Sequence, residues 1–536
     1  MLAITCPGAR RPVVLALDLG LALGAVFVVA LVPAALVALR PPSATWLRVG
    51  IVLVGAGVAA TCMRLDAKEY VRLYAPYHAV LGATLVVCAV AMRSAFRAGE
   101  STGPARAGAV VVIAVLAALG LPSSRDARAY IGQRGVLLAD ALWATHRDVL
   151  ALPPMPPTST STSTSTATRS PLILLITIDA LRADVARDGA YPALRAVRAN
   201  AVDFTDARAP AAWTVPSTYS MLTGRGPWNV RWTRWSFYGG AREGTEKAAL
   251  YEGRSPTLAE ALHALGYQTR TCTSVPVLDE QLGVTRGFDV VDDGVYRMRN
   301  PTTRGVTSDL LTECGLAMID AAHGAPLFLW LHYSDPHEPY LEHPDVPLVN
   351  DSPRARYEGE VAFVDKHVGG LLINVDRRVG LDHTLIVLSS DHGEEFGEHG
   401  GAFHGATLYD EILRVPLLIA MPGVAPRQVA TPVSLLDVAP TIVELAGGTF
   451  DAPDGRSLVP AMRGGTLEPR PIFAETIRLG RGSRAIVDGE WKLIYEARAG
   501  TWELFNLAKD PGEQRVVTDE NRDVFRRLAE RIGIAP

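Results

Sequence analysis

The chain has 536 residues, 48% of them hydrophobic and 20% charged, with a formal net charge of −4. That length predicts two or three structural units. A thinly spread, slightly acidic balance offers no polyanion-binding surface and argues against nucleic acid as a partner. The mean hydropathy of +0.16 is high for a soluble enzyme, and the apolar excess sits in the first third of the chain.

Val13 to Leu39 is a long apolar run broken only by Asp18. A membrane span needs about 20 apolar residues. Trp46 to Cys62, Leu73 to Met92 and Ala107 to Leu121 follow it. Four such runs in series predict a transmembrane region over residues 1–152 of about four spans; a cleaved signal peptide would not be followed by more of them. Arg10 and Arg11 favour a cytoplasmic N-terminus; four spans would then return the chain to the cytoplasm, and three or five would place the rest outside. Residues 135–152 carry Asp140, His146, Arg147 and Asp148, and read as an interfacial helix rather than a fifth span. Residues 153–170 include the run STSTSTSTAT, which cannot build a core and reads as a linker. Such a stalk suits a multi-pass membrane protein whose catalytic domain is held on the extracytoplasmic side.

From Pro171 the pattern becomes alternating strands and helices. Leu172 to Ile178 (LILLITI), Leu327 to Leu331 (LFLWL) and Thr384 to Leu388 (TLIVL) are short, continuous apolar runs. They read as strands buried on both faces, as in a parallel sheet. Val361, Val364, Val368, Leu371 and Val375 recur at helical spacing between the last two. The fold class is therefore α/β, with a central, mostly parallel sheet flanked by helices. Each strand runs into a polar cluster: Asp179 after the first, His332 to His337 after the second, Ser390-Asp391-His392-Gly-Glu394 after the third. Open α/β sheets bind ligands at the carboxyl ends of their strands. Eight of the 12 histidines fall between His332 and His404. Alone, Asp179 reads as a helix cap. With Asp391 and His392 it makes a three-ligand set for a divalent cation that leaves a coordination position open.

Between these strands lies AWTVPSTYSMLTGR. Pro216 fits the first turn of a helix and Gly224 its end. Thr214 then stands at or just before a helix N-terminus, where free backbone N–H groups favour an alkoxide or a bound anion. Taken alone Thr214 reads as an N-cap; a nearby metal would make its hydroxyl a nucleophile. Arg225 reads either as a phosphate ligand or as a charge ending its helix. Trp228, Trp232 and Trp235 read as a packed loop or as a surface for sugar or lipid headgroups. Of the five cysteines, Cys272 and Cys314 stand apart from any CxxC pair and read as two buried thiols, with a single bridge between them the alternative.

These segments resemble the sulfatases, within the alkaline phosphatase superfamily. The matching motifs are ITIDALRAD, TVPSTYSMLTGR, WLHYSDPHEPY, YEGEVAFVDKHVGGLL, SSDHGEEFGEHGGAFHG and LYDEILRVPLLIAMPG, followed by WKLIY and WELFNLAKDPGEQ. They span Leu172 to about Glu520. The resemblance implies a catalytic domain over 171–448 and a small C-terminal antiparallel subdomain over 449–536. Sulfatases mature a Cys or Ser, in a Cys/Ser-x-Pro-x-Arg motif, to formylglycine. Here Thr214 holds the first position and Thr218 the Arg position, so no formylglycine is expected. Ala180 stands where the family often has a second Asp, and its Gly-Lys-Trp-His segment has no match.

A threonine there is similar to the branch of membrane-bound phosphoethanolamine and glycerophosphate transferases. That resemblance implies a divalent metal (Mn, Zn, Mg or Ca) held by Asp179, Thr214, Asp391 and His392, with His404 on the substrate and His332 and His337 lining the same pocket. Thr214 would be the nucleophile, and His404 or His337 would protonate the leaving group. The expected function is hydrolysis or transfer of a phosphate ester through a phospho-threonine, on a phospholipid, glycan or small phosphoester at the membrane. Two alternatives stand beside it: a sulfuric-ester hydrolase working without formylglycine, and a non-catalytic ligand-binding membrane protein.

Overall fold

The computed structural model describes residues 170–229, 256–275, 278, 283–297, 307–450, 454–476, 482–497 and 499–534. The four apolar runs, the interfacial segment, Trp232 and Trp235, and all of the linker except Ser170 lie outside the described residues. Among the described residues no helix is long and apolar enough to cross a membrane.

Eight strands form the central sheet: β1 (Leu172–Ile178), β2 (Val202–Phe204), β3 (Gln268–Thr273), β4 (Val290–Asp292), β5 (Leu327–Tyr333), β6 (Thr384–Ser389), β7 (Leu417–Ala420) and β8 (Arg427–Val429). Their order is β8-β2-β7-β6-β1-β5-β3-β4. The run from β6 through β4 is parallel, and β7 is antiparallel to both its neighbours. The three strands expected from the sequence are its centre. β5 continues two residues beyond the expected Leu331, which places His332 and Tyr333 on the strand.

Strand alternation sends these apolar runs to two cores. Ile173, Leu175, Phe328, Trp330, Leu385 and Val387 face one side. Leu172, Leu174, Leu329, Leu331, Ile386 and Leu388 face the other. Both faces are covered, so neither side of a strand needs a polar residue until the strand ends. The long helix Pro353–Arg378 buries Val361, Val364, Val368, Leu371 and Val375 against the second core, which is the helical spacing read from the sequence.

Strands β9 (Ile472–Thr476), β10 (Ser483–Asp488), β11 (Trp491–Glu496) and β12 (Thr501–Asn506) form a separate four-stranded antiparallel sheet. The amphipathic helix Arg522–Ile532 lays Phe525, Leu528 and Ile532 on Ile486, Leu493 and Leu504. A buried ionic cluster joins this sheet to the strand-end loops. Lys492 Nζ reaches Asp410 Oδ1 at 2.7 Å and Glu513 Oε1 at 2.8 Å, while Arg208 grips the same Asp410. Burial alone would push Asp410 up, but Arg208 and Lys492 hold it well below the carboxylate range.

Cys272 on β3 and Cys314 on the helix Ser308–Asp320 form a disulfide, which corrects the reading of two buried thiols. The helix packs on the strand with the two Cα atoms 6.4 Å apart, a proximity that no spacing rule in the sequence reveals. The cysteines are 42 residues apart, and closing a loop of that size stabilises a fold by about 4 kcal/mol in the chain-entropy account. Reduction, or Cys314→Ala, is therefore expected to lower the unfolding free energy by up to about 4 kcal/mol. Denaturant melts with and without reductant check it; identical midpoints would show that the bridge contributes nothing.

Candidate functional site

β1, β5 and β6 end at one level. Thr177, next to last in β1, lies opposite His332 of β5 and opposite Ser389, the last residue of β6. The residues at and just beyond this level are Asp179, His332, Asp391 and His392, and all four are fully buried. Backbone bonds lock the three strand ends together. Asp179 N–H donates to the Tyr333 carbonyl at 2.8 Å, and Leu181 N–H donates to Ser390 Oγ at 2.9 Å. Ala180 between them has φ +59°, a left-handed conformation that costs a non-glycine residue about 1–2 kcal/mol. Its N–H donates to Asp391 Oδ1 at 3.3 Å.

Ligand atoms of Asp179, His332 and Asp391 lie within 4.8 Å of one another. His392 Nε2 joins them, 3.4 Å from Asp179 Oδ1 and 3.4 Å from Asp391 Oδ2. Both oxygens of Asp179, Oδ2 of Asp391 and Nε2 of His332 have no hydrogen-bond partner. Buried carboxylates in that state are costly unless a cation balances them.

The imidazoles are oriented to help. His392 Nδ1 lies 2.9 Å from the Gly393 carbonyl, which can only accept. Nδ1 is thus protonated, which leaves Nε2 as the nitrogen that faces the carboxylates and would offer its lone pair to a cation. His332 Nδ1 lies 2.7 Å from Thr177 Oγ1, which also accepts from Trp330 Nε1 and donates to the Leu331 carbonyl. With Nδ1 donating, His332 Nε2 also offers a lone pair, 3.6 Å from Asp179 Oδ2. Burial pushes the Asp391 carboxyl up, and the charge of Asp179 adds to the shift. Burial acts on Asp179 in the same direction, but positive charge on His337, His332 and His392 would outweigh it and bring it down to about 2, the same work a bound cation would do with the rings neutral. These donors fit a divalent cation.

Thr214 is the first residue of the helix Thr214–Thr223, which Gly224 ends in the left-handed conformation at φ +63°. Every residue of that helix is buried. Thr214 Oγ1 lies 3.3 Å from His392 Nε2, which puts the hydroxyl beside the donor set. Ser217 Oγ donates to the Asp391 carbonyl at 2.6 Å and ties the helix to the strand end. Thr218 donates its hydroxyl to the Thr214 carbonyl at 2.7 Å.

His404 and His337 complete the cluster, with ring centroids 4.8 Å apart; His404 also lies 4.2 Å from the His392 ring. His337 Nδ1 is 2.8 Å from the Glu338 carbonyl and therefore donates to it. Seven of the eight residues singled out from the sequence thus converge on one buried pocket. Arg225 does not. It follows the far end of the Thr214 helix, roughly 15 Å along the axis at 1.5 Å per residue, so its role as a substrate ligand beside Thr214 is not supported by its placement.

Two features escaped the sequence. His332 was expected on the substrate, and it stands instead among the carboxylates, because β5 runs two residues further than its apolar stretch. Glu394 was read only as part of a polar run. It is fully buried, accepts a hydrogen bond from Tyr340 at 3.0 Å and lies 3.0 Å from His404 Nδ1. Burial pushes its carboxyl well above the usual range. An acid three residues beyond Asp391, on the same turn, was the available signal.

Residues 171–448 match the family model described as sulfatase, and residues 397–533 match the one described as N-sulphoglucosamine sulphohydrolase, C-terminal. Choline-sulfatase of Rhizobium meliloti (strain 1021) is 27% identical over 433 residues, covering 64% of this chain and 81% of the relative. Steryl-sulfatase of Mus musculus is 28% identical over 297 residues and covers 46% of each chain, so this chain spans about half of that relative's length. The crystal structure of a phosphonate monoester hydrolase of Agrobacterium radiobacter superposes with a TM-score of 0.55 at 22% identity, covering 68% of this chain and 94% of that one.

The donor set generates a binding prediction. A divalent cation at about 100 times its Kd stabilises the state that binds it by about 2.7 kcal/mol. Chelation is expected to lower the melting temperature of the purified chain, and Mn²⁺ or Zn²⁺ to restore it. Asp391→Asn is expected to weaken that response. A melting temperature that ignores both chelator and metal would sink the cation reading.

Proposed function

The chain belongs to the sulfatase family, and from that premise we propose that it is a metal-assisted hydrolase of a small sulfate ester, with Thr214 Oγ1 as the nucleophile. The observation that carries this reading is the position of Thr214: first residue of a buried helix, its hydroxyl 3.3 Å from His392 Nε2 and beside the paired carboxylates. The named relatives with the most extended alignments are sulfatases.

Asp179, Asp391, His332 and His392 would hold the cation. Two carboxylates with two imidazoles suit Mn²⁺ or Zn²⁺ better than the all-oxygen preference of Ca²⁺ or Mg²⁺. When bound, such an ion lowers the pKa of a neighbouring hydroxyl and neutralises charge on an ester oxygen. The chain's own residues do the rest. The helix N-terminus orients Thr214 and favours its alkoxide. Thr214 Oγ1, its proton given up to solvent as the alkoxide forms, attacks the ester's central atom as the bond to the alcohol breaks. His404, steadied through Nδ1 by Glu394, or His337 beside it, gives the departing oxygen its proton. Water then releases the group from Thr214 in a second displacement.

A second reading keeps the site and changes the ester to a phosphate. Thr214 itself favours it. The hemiacetal route by which a formylglycine sheds sulfate requires an aldehyde hydrate, and a threonine's secondary alcohol cannot supply one. Two successive displacements suit phosphoryl transfer, including transfer to a lipid or sugar hydroxyl.

We further place the catalytic domain on the extracytoplasmic side of a membrane. The disulfide between Cys272 and Cys314 supports an oxidising compartment, and the four apolar runs near the N-terminus support a membrane anchor.

Paired aryl sulfate and aryl phosphate esters separate the readings, since kcat/KM for one should exceed the other by orders of magnitude. Thr214→Ala is expected to lower kcat by at least ~10³-fold on the better substrate. Retained activity would remove Thr214 from the chemistry. His404→Ala is expected to cost roughly 10²–10⁴-fold on an alkyl ester and much less on a nitrophenyl ester, whose leaving group needs no proton. Equal losses on both would assign His404 to binding the anion instead.

A further inference from the structure

A second group of potential ligands stands behind the catalytic loop, and no step above uses it. Glu395, His399 and Glu411 place one ligand atom each within 4.8 Å of one another. Glu395 and Glu411 flank the pocket's own Glu394 and Ile412: Gly393 N–H donates to the Ile412 carbonyl at 2.7 Å, and Glu394 N–H to the Glu411 carbonyl at 3.1 Å. The side chains of His399 and Glu411 are 10% and 8% exposed, and Glu395 is 1% exposed.

Glu395 is the unexplained member. Neither carboxylate oxygen has a hydrogen-bond partner among the described residues. They press against the bare backbone of Gly401, where a Cβ would lie 2.6 Å from Oε2 and 2.8 Å from Oε1. The Thr407 hydroxyl, close enough to lower the Glu395 pKa, is likewise without a hydrogen-bond partner.

His399 defines what the cluster lacks. Its Nε2 lies 3.0 Å from the Glu513 carbonyl, which only accepts, so Nε2 carries a proton. Nδ1 then faces Glu411 Oε1 at 2.5 Å. That separation is the distance of a shared proton: burial would lower the His399 pKa, but Glu411 outweighs it and raises it. A proton thus serves His399 and Glu411 but leaves the buried Glu395 carboxylate with only the nearby Thr407 hydroxyl. A divalent cation displacing that proton, with ring and carboxylate spread to ligand distances, would satisfy all three. It balances two carboxylates with a neutral imidazole, and Nε2–H donated to a backbone carbonyl is the usual outer support of a ligating histidine. The other acid nearby, Glu513, is already committed to Lys492 and to Asp410 N–H. Arg182 is committed to Asp184 and Glu398.

We propose that Glu395, His399 and Glu411, with Thr407 as a further oxygen ligand, form a second divalent-cation site of a structural kind. It would pin the loop carrying Asp391 and His392 to the segment Asp410–Leu413 and to the chain around Glu513. Two carboxylates and one imidazole suit Zn²⁺ or Mn²⁺.

Metal content of the full-length chain tests it, after equilibration with Zn²⁺ or Mn²⁺ and gel filtration. Asp391→Asn is expected to retain about one equivalent, and Asp391→Asn/Glu395→Gln to lose it. Glu395→Gln alone is expected to fall from about two equivalents to about one, with ester hydrolysis within about twofold of the parent and a smaller rise in melting temperature on adding metal. Folded Asp391→Asn protein without tight metal would overturn the proposal, and so would Glu395→Gln protein with undiminished metal. In either case the cluster is a His399–Glu411 ion pair beside a protonated Glu395.

Discussion

The structure depends on a burial problem. Asp179 and Asp391 are both 0% exposed, and each stands at the end of a strand whose preceding residues are apolar on both faces. The in-register pairing of β6, β1 and β5 makes the problem unavoidable. Whatever follows Ile178 and Ser389 meets at one edge, out of water. Two carboxylates there repel: burial pushes Asp391 up, and the charge of Asp179 adds to the shift. The surrounding groups answer that charge. Two imidazole Nε2 atoms are turned inward by acceptors or donors behind them, and the N-terminus of the Thr214 helix points at the same spot. A divalent cation would complete the balance. The same concentration of charge that is costly for folding would make a hydroxyl beside it nucleophilic.

Much of this was legible in the sequence because it follows from periodicity. LILLITI, LFLWL and TLIVL have no alternation, so they had to be buried on both faces, and the polar residue after each had to mark an edge. Pro216 and Gly224 bracketed the Thr214 helix for backbone reasons that hold in any context. What was not legible depends on packing between distant segments. The pairing of Cys272 with Cys314 needs the helix to lie on β3, and neither cysteine carries a local signal of that. His332 changed company because a strand continued past its apolar residues: Thr177, itself held by Trp330 Nε1–H, partners the ring nitrogen and lets a histidine sit inside a sheet. Glu394, as a buried acid behind His404, was hidden in a run of ordinary polar residues.

The pocket's positive charge has an unusual source. Among the described residues, the lysines are Lys366, Lys492 and Lys509, and none joins the cluster. Lys366 pairs with Asp345, and Lys492 is sealed between Asp410 and Glu513. The position where sulfatases carry an arginine near the nucleophile is Thr218, whose hydroxyl is spent on its own helix. Among the described residues, the groups around Thr214 that would meet an anion are therefore imidazoles, a helix terminus and the donor set for a cation, with no lysine beside them.

That substitution has a chemical consequence. A guanidinium or ammonium stays charged throughout a turnover, so it holds an anion equally well before and after reaction. Histidines 337 and 404 can instead give up a proton as the leaving oxygen gains charge, so their attraction is strongest for the state in which that charge develops. A threonine nucleophile needs such help more than a formylglycine does, because it must expel its ester by a second displacement and cannot collapse to an aldehyde. Glu394, buried behind His404 with Tyr340 on its other oxygen, would hold that ring in place for such a proton transfer.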